Sequence, residues 1–401
     1  MKKSILVISQ YFWPEKFHIN DVCEELNNIG HKVQILTGKP NYPLGKIFKG
    51  YKKKNCYIDK YKNLDVFRVP LQPRNNSTSF DLIKNYLSFI INATYYGLKF
   101  KYNKFDTILF FGTSPITSAI PAIILKLIYK KKLILWVQDL WPQNLKSTGH
   151  IKNRFILKLI DIVVRIIYYF SNKILVQSIL FKKYISKQTK KNKLIYHPNS
   201  FKVPKEKIKL RSIHKKLFKK NFCITFAGNI GKAQDLKTLI MAAKNLQNLK
   251  KLKIIIIGDG SEKKKLENIV TLNKICNVYF LGSYKQDYVY EIYKKSSCLY
   301  VSLKDDQILN LTMPYKVQSY LSAGKIIIGS ISGITKSIII KNKLGFCCKN
   351  NNLKKLEKII LKVYNLKYKP KKKIEKNSKN FFIKNFEFKK TVKKLSSIIN
   401  E

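Results

Sequence analysis

The sequence is short of acid. Asp and Glu together number 23 against 79 Lys and Arg in 401 residues, a formal net charge of +56. It also has no long apolar run. No segment reaches the ~18 uninterrupted apolar residues of a membrane-crossing helix, so none is expected. The basic start, MKKSILVISQYFWPE, has the look of a signal peptide, but its run Ile5–Ser9 is too short and Gln10 and Glu15 interrupt it. A first β-strand is the better reading. No two of the seven cysteines (Cys23, Cys56, Cys223, Cys276, Cys298, Cys347 and Cys348) have the C-x-x-C spacing of a zinc site. Most sit in apolar runs, as buried reduced thiols do, which fits a cytosolic location. No D-x-D metal motif is present, and Asp305-Asp306 is an adjacent acidic pair in a loop. Neither metal nor cofactor is expected. No nucleic-acid reading motif accompanies the charge, so nucleic acid is not an expected partner. Lys, Asn and Ile abound everywhere, as an AT-rich coding background produces. An anionic membrane surface is the partner that the excess of charge then adds.

Apolar residues make up 45% and charged residues 25%, ordinary for a globular chain, and the length suggests two domains. Short β-branched runs alternate with longer helical patterns. In the first half, strands are predicted at Ser4–Ser9, Lys32–Thr37, Asp65–Val69, Thr107–Phe111, Lys132–Val137 and Lys173–Gln177, with amphipathic stretches such as Asn20–Ile29 and Ser114–Tyr129 between them. The second half repeats the pattern, with strands at Phe222–Ala227, Lys253–Ile257, Val278–Leu281, Cys298–Val301 and Lys325–Ile328. Its helices are predicted at Leu236–Asn248, Ser261–Leu272, Asp287–Lys295 and Pro314–Ser322. Such alternation means α/β architecture with parallel, doubly wound sheets. The polar, basic stretch Ser200–Asn221 marks the boundary. Residues 1–200 then form one Rossmann-like domain and 201–376 another, with 377–401 a C-terminal helix packing back toward the first. Two such domains in series leave a cleft at the carboxyl ends of their strands.

Four elements of the second half carry chemistry. Phe226 to Ile240 reads strand, glycine loop, then a helix from about Asp235. Gly228 and Gly231 allow a tight turn, the helix N-terminus offers N–H groups to a diphosphate, and Lys232 adds a cation. An ordinary βα turn is the competing reading. Ile257-Gly-Asp-Gly-Ser261 repeats the pattern: Gly258 and Gly260 suit close contact with a nucleotide, while Asp259 and Ser261 suit helix capping. Phe280-Leu-Gly-Ser-Tyr284 follows the next strand, and Tyr284 is either a ring for a base or core. In the stretch Leu309 to Lys325, Pro314 opens a helix that Gly324 ends. Asn310, Thr312 and Lys316 stand where phosphate or sugar could be met, beside a core stripe of Val317, Tyr320 and Leu321.

These four elements, in this order, resemble the C-terminal domain of retaining glycosyltransferases of family 4, with the GT-B fold. The first half extends the resemblance through Gln10-Tyr-Phe-Trp-Pro-Glu15, the stretch His31–Gly45, and Trp136-Val-Gln-Asp-Leu-Trp-Pro142. These are similar to a subfamily of bacterial O-antigen and capsule clusters. The Ala227–Leu236 and Lys316–Lys325 stretches are most similar to its N-acetyl-L-fucosamine transferases. The resemblance implies two Rossmann-like domains facing a central cleft and a UDP-sugar donor. It implies metal-independent transfer to an undecaprenyl-diphosphate-linked sugar on the inner face of the cytoplasmic membrane.

It also implies site residues, with departures. The family's diphosphate-binding Arg and Lys fall near Asn229 and Gln234, neither cationic, so Lys232, Lys316 and the backbone must do more. Its two glutamates around the donor sugar fall near Leu311 and Ser319, with Gln318 adjacent, so neither glutamate is present. In the first domain the family's cleft histidine falls near Gln138. Asp139 is then the first candidate for a polar cleft residue, with a buried hydrogen-bond acceptor as the equal alternative. Glu15 and His18 are further candidates in a loop that replaces the usual glycine-rich one. His197 and Asn199 mark the turn out of the domain. The stretch Phe80–Asp106 interleaves aromatic and aliphatic residues with lysines, as helices on anionic bilayers do, although a helix packed on the core has the same pattern. Two other readings stay open: a GT-B epimerase or phosphorylase, and a catalytically idle sugar-nucleotide or membrane-surface binding protein.

Overall fold

A computed structural model describes residues 2–99, 105–147 and 153–401. Residues 100–104 of the basic aromatic stretch lie outside the described residues. The chain divides into two compact units, one formed by Met1–Asn199 with Lys389–Glu401 and the other by Ser200–Phe388.

The first unit holds an eight-stranded sheet. Its strands are β1 (Ser4–Ile8), β2 (Lys32–Gly38), β3 (Tyr57–Tyr61), β4 (Leu64–Val69), β5 (Thr107–Gly112), β6 (Lys132–Val137), β7 (Lys173–Val176) and β8 (Leu194–Tyr196), in the order β3-β4-β2-β1-β5-β6-β7-β8. All neighbours run parallel except the β3–β4 pair. Its helices are α1 (His18–Asn28), α2 (Ser79–Lys99), α3 (Ile120–Tyr129), α4 (Gln143–Ser147), α5 (Arg154–Phe170) and α6 (Ile179–Ile185). The central strands are apolar from end to end because a parallel sheet is covered on both faces. All six residues of β5 are buried.

The second unit holds β9 (Phe222–Ala227), β10 (Leu252–Ile257), β11 (Val278–Gly282), β12 (Cys298–Ser302), β13 (Ile326–Ser330) and β14 (Gly345–Cys348), all parallel, in the order β11-β10-β9-β12-β13-β14. Its helices are α7 (Ser212–Lys220), α8 (Lys237–Asn245), α9 (Lys263–Leu272), α10 (Gln286–Lys295), α11 (Tyr315–Ser322), α12 (Gly333–Lys341), α13 (Leu353–Tyr364) and α14 (Tyr368–Asn385). The period of two along each strand separates two cores. Ile255, Ile257, Leu299 and Val301 face one, and Ile254, Ile256, Cys298 and Tyr300 face the other.

Three expectations change. The segment 377–401 is not one helix: α14 stops at Asn385 and α15 (Phe388–Asn400) follows. Buried Phe386 breaks it, and its carbonyl accepts the Phe201 N–H at 3.0 Å, so residues up to Phe388 stay in the second unit. Residues from Lys389 belong to the first, where Lys3 Nζ donates to the Ile399 and Asn400 carbonyls at 3.0 and 3.1 Å. The helix after β9 does not begin near Asp235, whose φ of 43° is left-handed. A 3₁₀ turn at Lys232–Gln234 intervenes and α8 starts at Lys237. Asp259 and Ser261 do not cap α9, which begins two residues beyond Ser261 with no side-chain cap. Asp259 Oδ1 instead accepts the Gly260 N–H at 2.8 Å.

Candidate functional site

In the second unit, the carboxyl ends of β9, β10 and β11 are stitched to one another beyond the strands. Gly228 N–H donates to the Ile257 carbonyl at 3.0 Å and Gly258 N–H to the Gly282 carbonyl at 2.9 Å. Gly231 N–H is taken by Gln234 Oε1 at 3.2 Å. The amides of all four glycines, Gly260 included, therefore have partners within the chain. The glycines serve loop-on-loop approach. A Cβ on Gly258 would stand 2.0 Å from the Gly228 carbonyl oxygen, and one on Gly260 2.4 Å from that of Ile230. Asn229 belongs to the same packing, since its side-chain oxygen lies 2.7 Å from the Gly260 Cβ position.

The glycine turns leave a cavity of about 290 Å³ beside them. Among the expected residues it gathers Gly228, Gly258, Tyr284, Lys316 and Ser319. The volume is at the low end for a small-molecule site. Its walls are aromatic. Tyr284 stacks on Tyr288 with centroids 4.6 Å apart and planes 22° apart, while Tyr288 OH is fixed by His214 Nδ1 at 2.8 Å and by the Arg211 N–H at 3.0 Å. Tyr284 is thus a braced ring lining an open cavity. Phe201, Tyr290, Tyr293 and Tyr315 complete the wall. Sequence reasoning missed these four, because an aromatic at helical spacing reads as core. Tyr315, directly before Lys316 at the helix start, carried the one usable signal.

Lys316 is the unusual member. It enters from the first turn of α11, and its Nζ is shielded from solvent without a hydrogen-bond partner. The ammonium lies 3.8 Å from the centroid of the Phe226 ring, and 2.9 Å from where a Cβ on Gly228 would be. Burial with no compensating carboxylate lowers its pKa to about 7.

The remaining expected residues are not brought to this cavity. Gly231 and Lys232 line a separate one of about 310 Å³, together with Asp235, Lys237, Lys265 and Lys304. Lys232 and Lys316 therefore line different cavities. Thr312 Oγ1 is turned to the Leu309 carbonyl at 3.2 Å, and Gln318 is buried in α11. Ser319, at one of the glutamate places, bonds the Lys316 carbonyl at 2.7 Å. Asn310 is tied to Asp305 at 2.7 Å, and Asp306 accepts the N–H groups of Ile308 and Leu309, so the acidic pair braces its own loop.

In the first unit, Glu15 is buried. Oε1 accepts the N–H groups of Asn41 and Tyr42 at 2.8 and 2.7 Å, and Oε2 accepts that of Phe12 at 3.3 Å. Burial raises its pKa to about 7 against those three bonds. Asp139 Oδ2 accepts the Ser114 hydroxyl at 2.9 Å, and that hydroxyl oxygen accepts Trp141 Nε1–H at 3.1 Å. Burial raises the Asp139 pKa. Asp139 is half-buried. His18 and His197 both meet the Trp136 ring edge-on, at 5.7 and 4.9 Å, and burial lowers their pKa values to about 4 and about 3. They are neutral imidazoles at physiological pH. Beside them Asn199 Nδ2 donates to Gln138 Oε1 at 2.8 Å and to Gln177 Oε1 at 3.0 Å. The carboxyl ends of β6, β7 and β8 thus carry a cluster of amides and imidazoles. His197 and Asn199, expected at the turn out of the domain, lie directly after β8.

Residues 209–381 match the family described as Glycosyl transferases group 1. An uncharacterized glycosyltransferase of Methanocaldococcus jannaschii is 29% identical over 226 residues, 53% of this chain and 54% of that one, so the chain spans about half of that relative's length. Another from the same organism is 23% identical over 99% of this chain and 98% of its own. The fold matches sucrose-phosphate synthase from Thermosynechococcus elongatus with a TM-score of 0.75 at 12% identity, covering 100% and 98% of the two chains. It matches a glycosyltransferase from Rickettsia africae at 0.68 and 14% identity, covering 99% and 98%. It also matches Anabaena HepE, solved in complex with UDP and glucose, at 0.69 and 13% identity over the whole of both chains. The fold is GT-B. Residues 209–381 thus carry a group 1 glycosyltransferase domain, and the chain is similar over nearly its whole length to a glycosyltransferase.

Proposed function

We propose that the chain transfers a sugar from a UDP-sugar, bound in the second unit, to a lipid-linked saccharide held by the first. The observation that carries this reading is Lys316: a shielded, unpartnered amine at the mouth of an aromatic cavity, beside a glycine turn. A diphosphate supplies the charge it lacks, and Tyr284 supplies a stacking face for the base. The leaving nucleoside diphosphate is then stabilised by a lysine in a low-dielectric setting, with no metal in the step. The UDP bound to HepE supports the choice of nucleotide. The resemblance of Ala227–Leu236 and Lys316–Lys325 supports N-acetyl-L-fucosamine as the sugar, retention of configuration, and a place in O-antigen or capsule synthesis. It also supports an undecaprenyl-diphosphate-linked acceptor at the inner face of the cytoplasmic membrane. In the first unit, Asp139 and His18 are the candidates for contact with the reacting groups, and Glu15 holds the loop between them and β2.

A thermal-shift screen with UDP-, GDP- and ADP-sugars tests the donor, because only a ligand that binds the folded state raises the midpoint. Stabilisation by UDP compounds alone is expected, and equal or absent shifts with all three would reject the assignment. A second reading, an idle sugar-nucleotide binding protein, draws on Leu311 and Ser319 at the two glutamate places. UDP-sugar binding with neither transfer nor hydrolysis would favour it.

A further inference from the structure

Helix α2 is inside out. The residues it buries are Asn85, Phe89, Ala93 and Gly97. The stripe it shows to solvent is Phe80, Ile83, Leu87, Ile91, Tyr95 and Leu98, with Ile91 65% exposed. Apart from Phe89, the inward residues are small or polar, while the large apolar ones face outward, unlike an ordinary surface helix. Helix α5 also turns large apolar residues outward, although those it buries are apolar too. It buries Val164, Ile167 and Tyr168 and exposes Phe155, Leu159, Ile162, Ile166 and Tyr169, the last 72% exposed. Helix α3 packs against both, and its far end exposes Leu127 and Ile128. The three outward stripes thus lie on adjoining helices. An apolar area of this extent marks an interaction surface.

Charge selects the partner. The face is fringed by exposed Lys84, Lys99, Arg154, Lys158 and Arg165. Lys84 Nζ lies 4.1 Å from the Phe80 ring centroid and Lys99 Nζ 4.2 Å from that of Tyr95, so cations and apolar rings interleave. The three helices contain just two acids, and both are engaged. Asp81 accepts from Thr78 and Asn75 at 2.8 and 3.1 Å, and Asp161 pairs with Arg165 at 2.7 Å. No helix among the described residues is long and apolar enough to cross a membrane. Apolar stripes edged by cations, on helices too polar to span, suit the boundary between headgroups and acyl chains of an anionic bilayer.

We propose that α2, α3 and α5 form one docking platform for anionic phospholipid, with α5 an anchoring element equal to α2. This rests on the membrane-surface reading above and extends it to a helix and a geometry that reading does not contain. It is independent of the donor cavity, which lies in the other unit.

Flotation of the full chain with phosphatidylcholine–phosphatidylglycerol vesicles, against phosphatidylcholine alone, tests it. Two variants carry the test: Leu87→Glu with Ile91→Glu in α2, and Ile162→Glu with Ile166→Glu in α5. All four positions are exposed, so thermal midpoints and UDP stabilisation should stay at the wild-type value. The wild type should float only with the anionic vesicles and be released by salt. Each variant should lose roughly tenfold or more in vesicle affinity, as removal of two buried aliphatic side chains from an interface requires. If the α5 variant floats like the wild type while the α2 variant does not, the platform is wrong and the simpler membrane reading stands. If the wild type does not float at all, both fall. If light scattering shows a dimer that the α5 variant dissolves, without flotation of either, the face is a contact between copies.

Discussion

Lys316 Nζ occupies the space that Gly228 leaves by having no side chain, 2.9 Å from the missing Cβ and 3.8 Å from the Phe226 ring centroid. The lysine thus adds to the left-handed φ of 136° as a reason for glycine at this turn. Gly228 opens the room, and the lysine fills it with the only cation in the cavity among the described residues. Lys316→Ala should therefore weaken UDP binding by roughly 10–100-fold, the worth of a charge-assisted contact of about 1.5–3 kcal/mol. Lys232→Ala should leave UDP affinity near the wild-type value, because Lys232 lines a different cavity. Isothermal titration with UDP checks both, and the reverse ranking would move the phosphate site to the second cavity.

The same lysine makes donor binding depend on pH. Its pKa of about 7 in the folded chain lies below the ordinary 10.5, because burial disfavours the ammonium. Between those values the unfolded chain holds a proton that the folded chain lacks, so this group makes stability rise with pH across that window. A diphosphate reverses the preference and draws a proton onto Nζ. UDP affinity should then fall by up to about tenfold per pH unit above pH 7. Titration in buffers of different ionisation enthalpy should show proton uptake on binding at pH 8. Lys316→Arg, whose charge does not titrate, should abolish the uptake.

Two glycines with left-handed backbones separate strain from contact. Gly258, at φ 132°, faces the Gly228 carbonyl oxygen at 2.0 Å from its Cβ position, while Gly282, at φ 75°, has open space there. Gly282→Ala carries only the conformational cost of about 1 kcal/mol. Gly258→Ala adds a backbone clash and should lower the thermal midpoint by roughly 4–10 °C. Differential scanning calorimetry of the two variants measures the difference, and equal midpoints would mean that the two turns are not in contact.

The architecture was legible because a parallel sheet writes itself as buried apolar runs. Lys132–Val137 is the same segment in both readings, and Phe222–Ala227 is too. Strands β3, β8 and β14 were not legible, for separate reasons. β3 is an edge strand whose residues Ile58 and Lys60 face solvent, β8 has three residues, and β14 begins with a glycine whose Cβ position is 1.9 Å from the Ile327 carbonyl oxygen. Within the site, the glycines mark tight turns and close backbone approach, as expected, and part of that approach is made by neighbouring loops. Sequence shows that a turn needs glycine, not whether a ligand or a neighbouring loop takes the space. The apolar stripe of α5 was hidden for a related reason: periodicity shows that a helix has an apolar face, and only tertiary contacts show whether that face is covered.

Glu15 gives the sharpest separation of chemistry from architecture. A catalytic acid–base group needs a free oxygen toward substrate, whereas both Glu15 oxygens accept backbone N–H groups of Phe12, Asn41 and Tyr42. The bonds from Asn41 and Tyr42 tie the loop after β1 to the loop after β2, and that from Phe12 closes the first loop on itself. Replacing Glu15 by Gln substitutes an amide NH₂ for one acceptor oxygen, so at least one buried backbone donor loses its partner. That should cost about 1–3 kcal/mol. The expected result for Glu15→Gln is a lower urea midpoint, with transfer activity per folded molecule within a few-fold of the wild type at saturating acceptor. An unchanged midpoint with activity abolished would instead assign Glu15 to the chemical step, and the loop bonds would then be incidental to it.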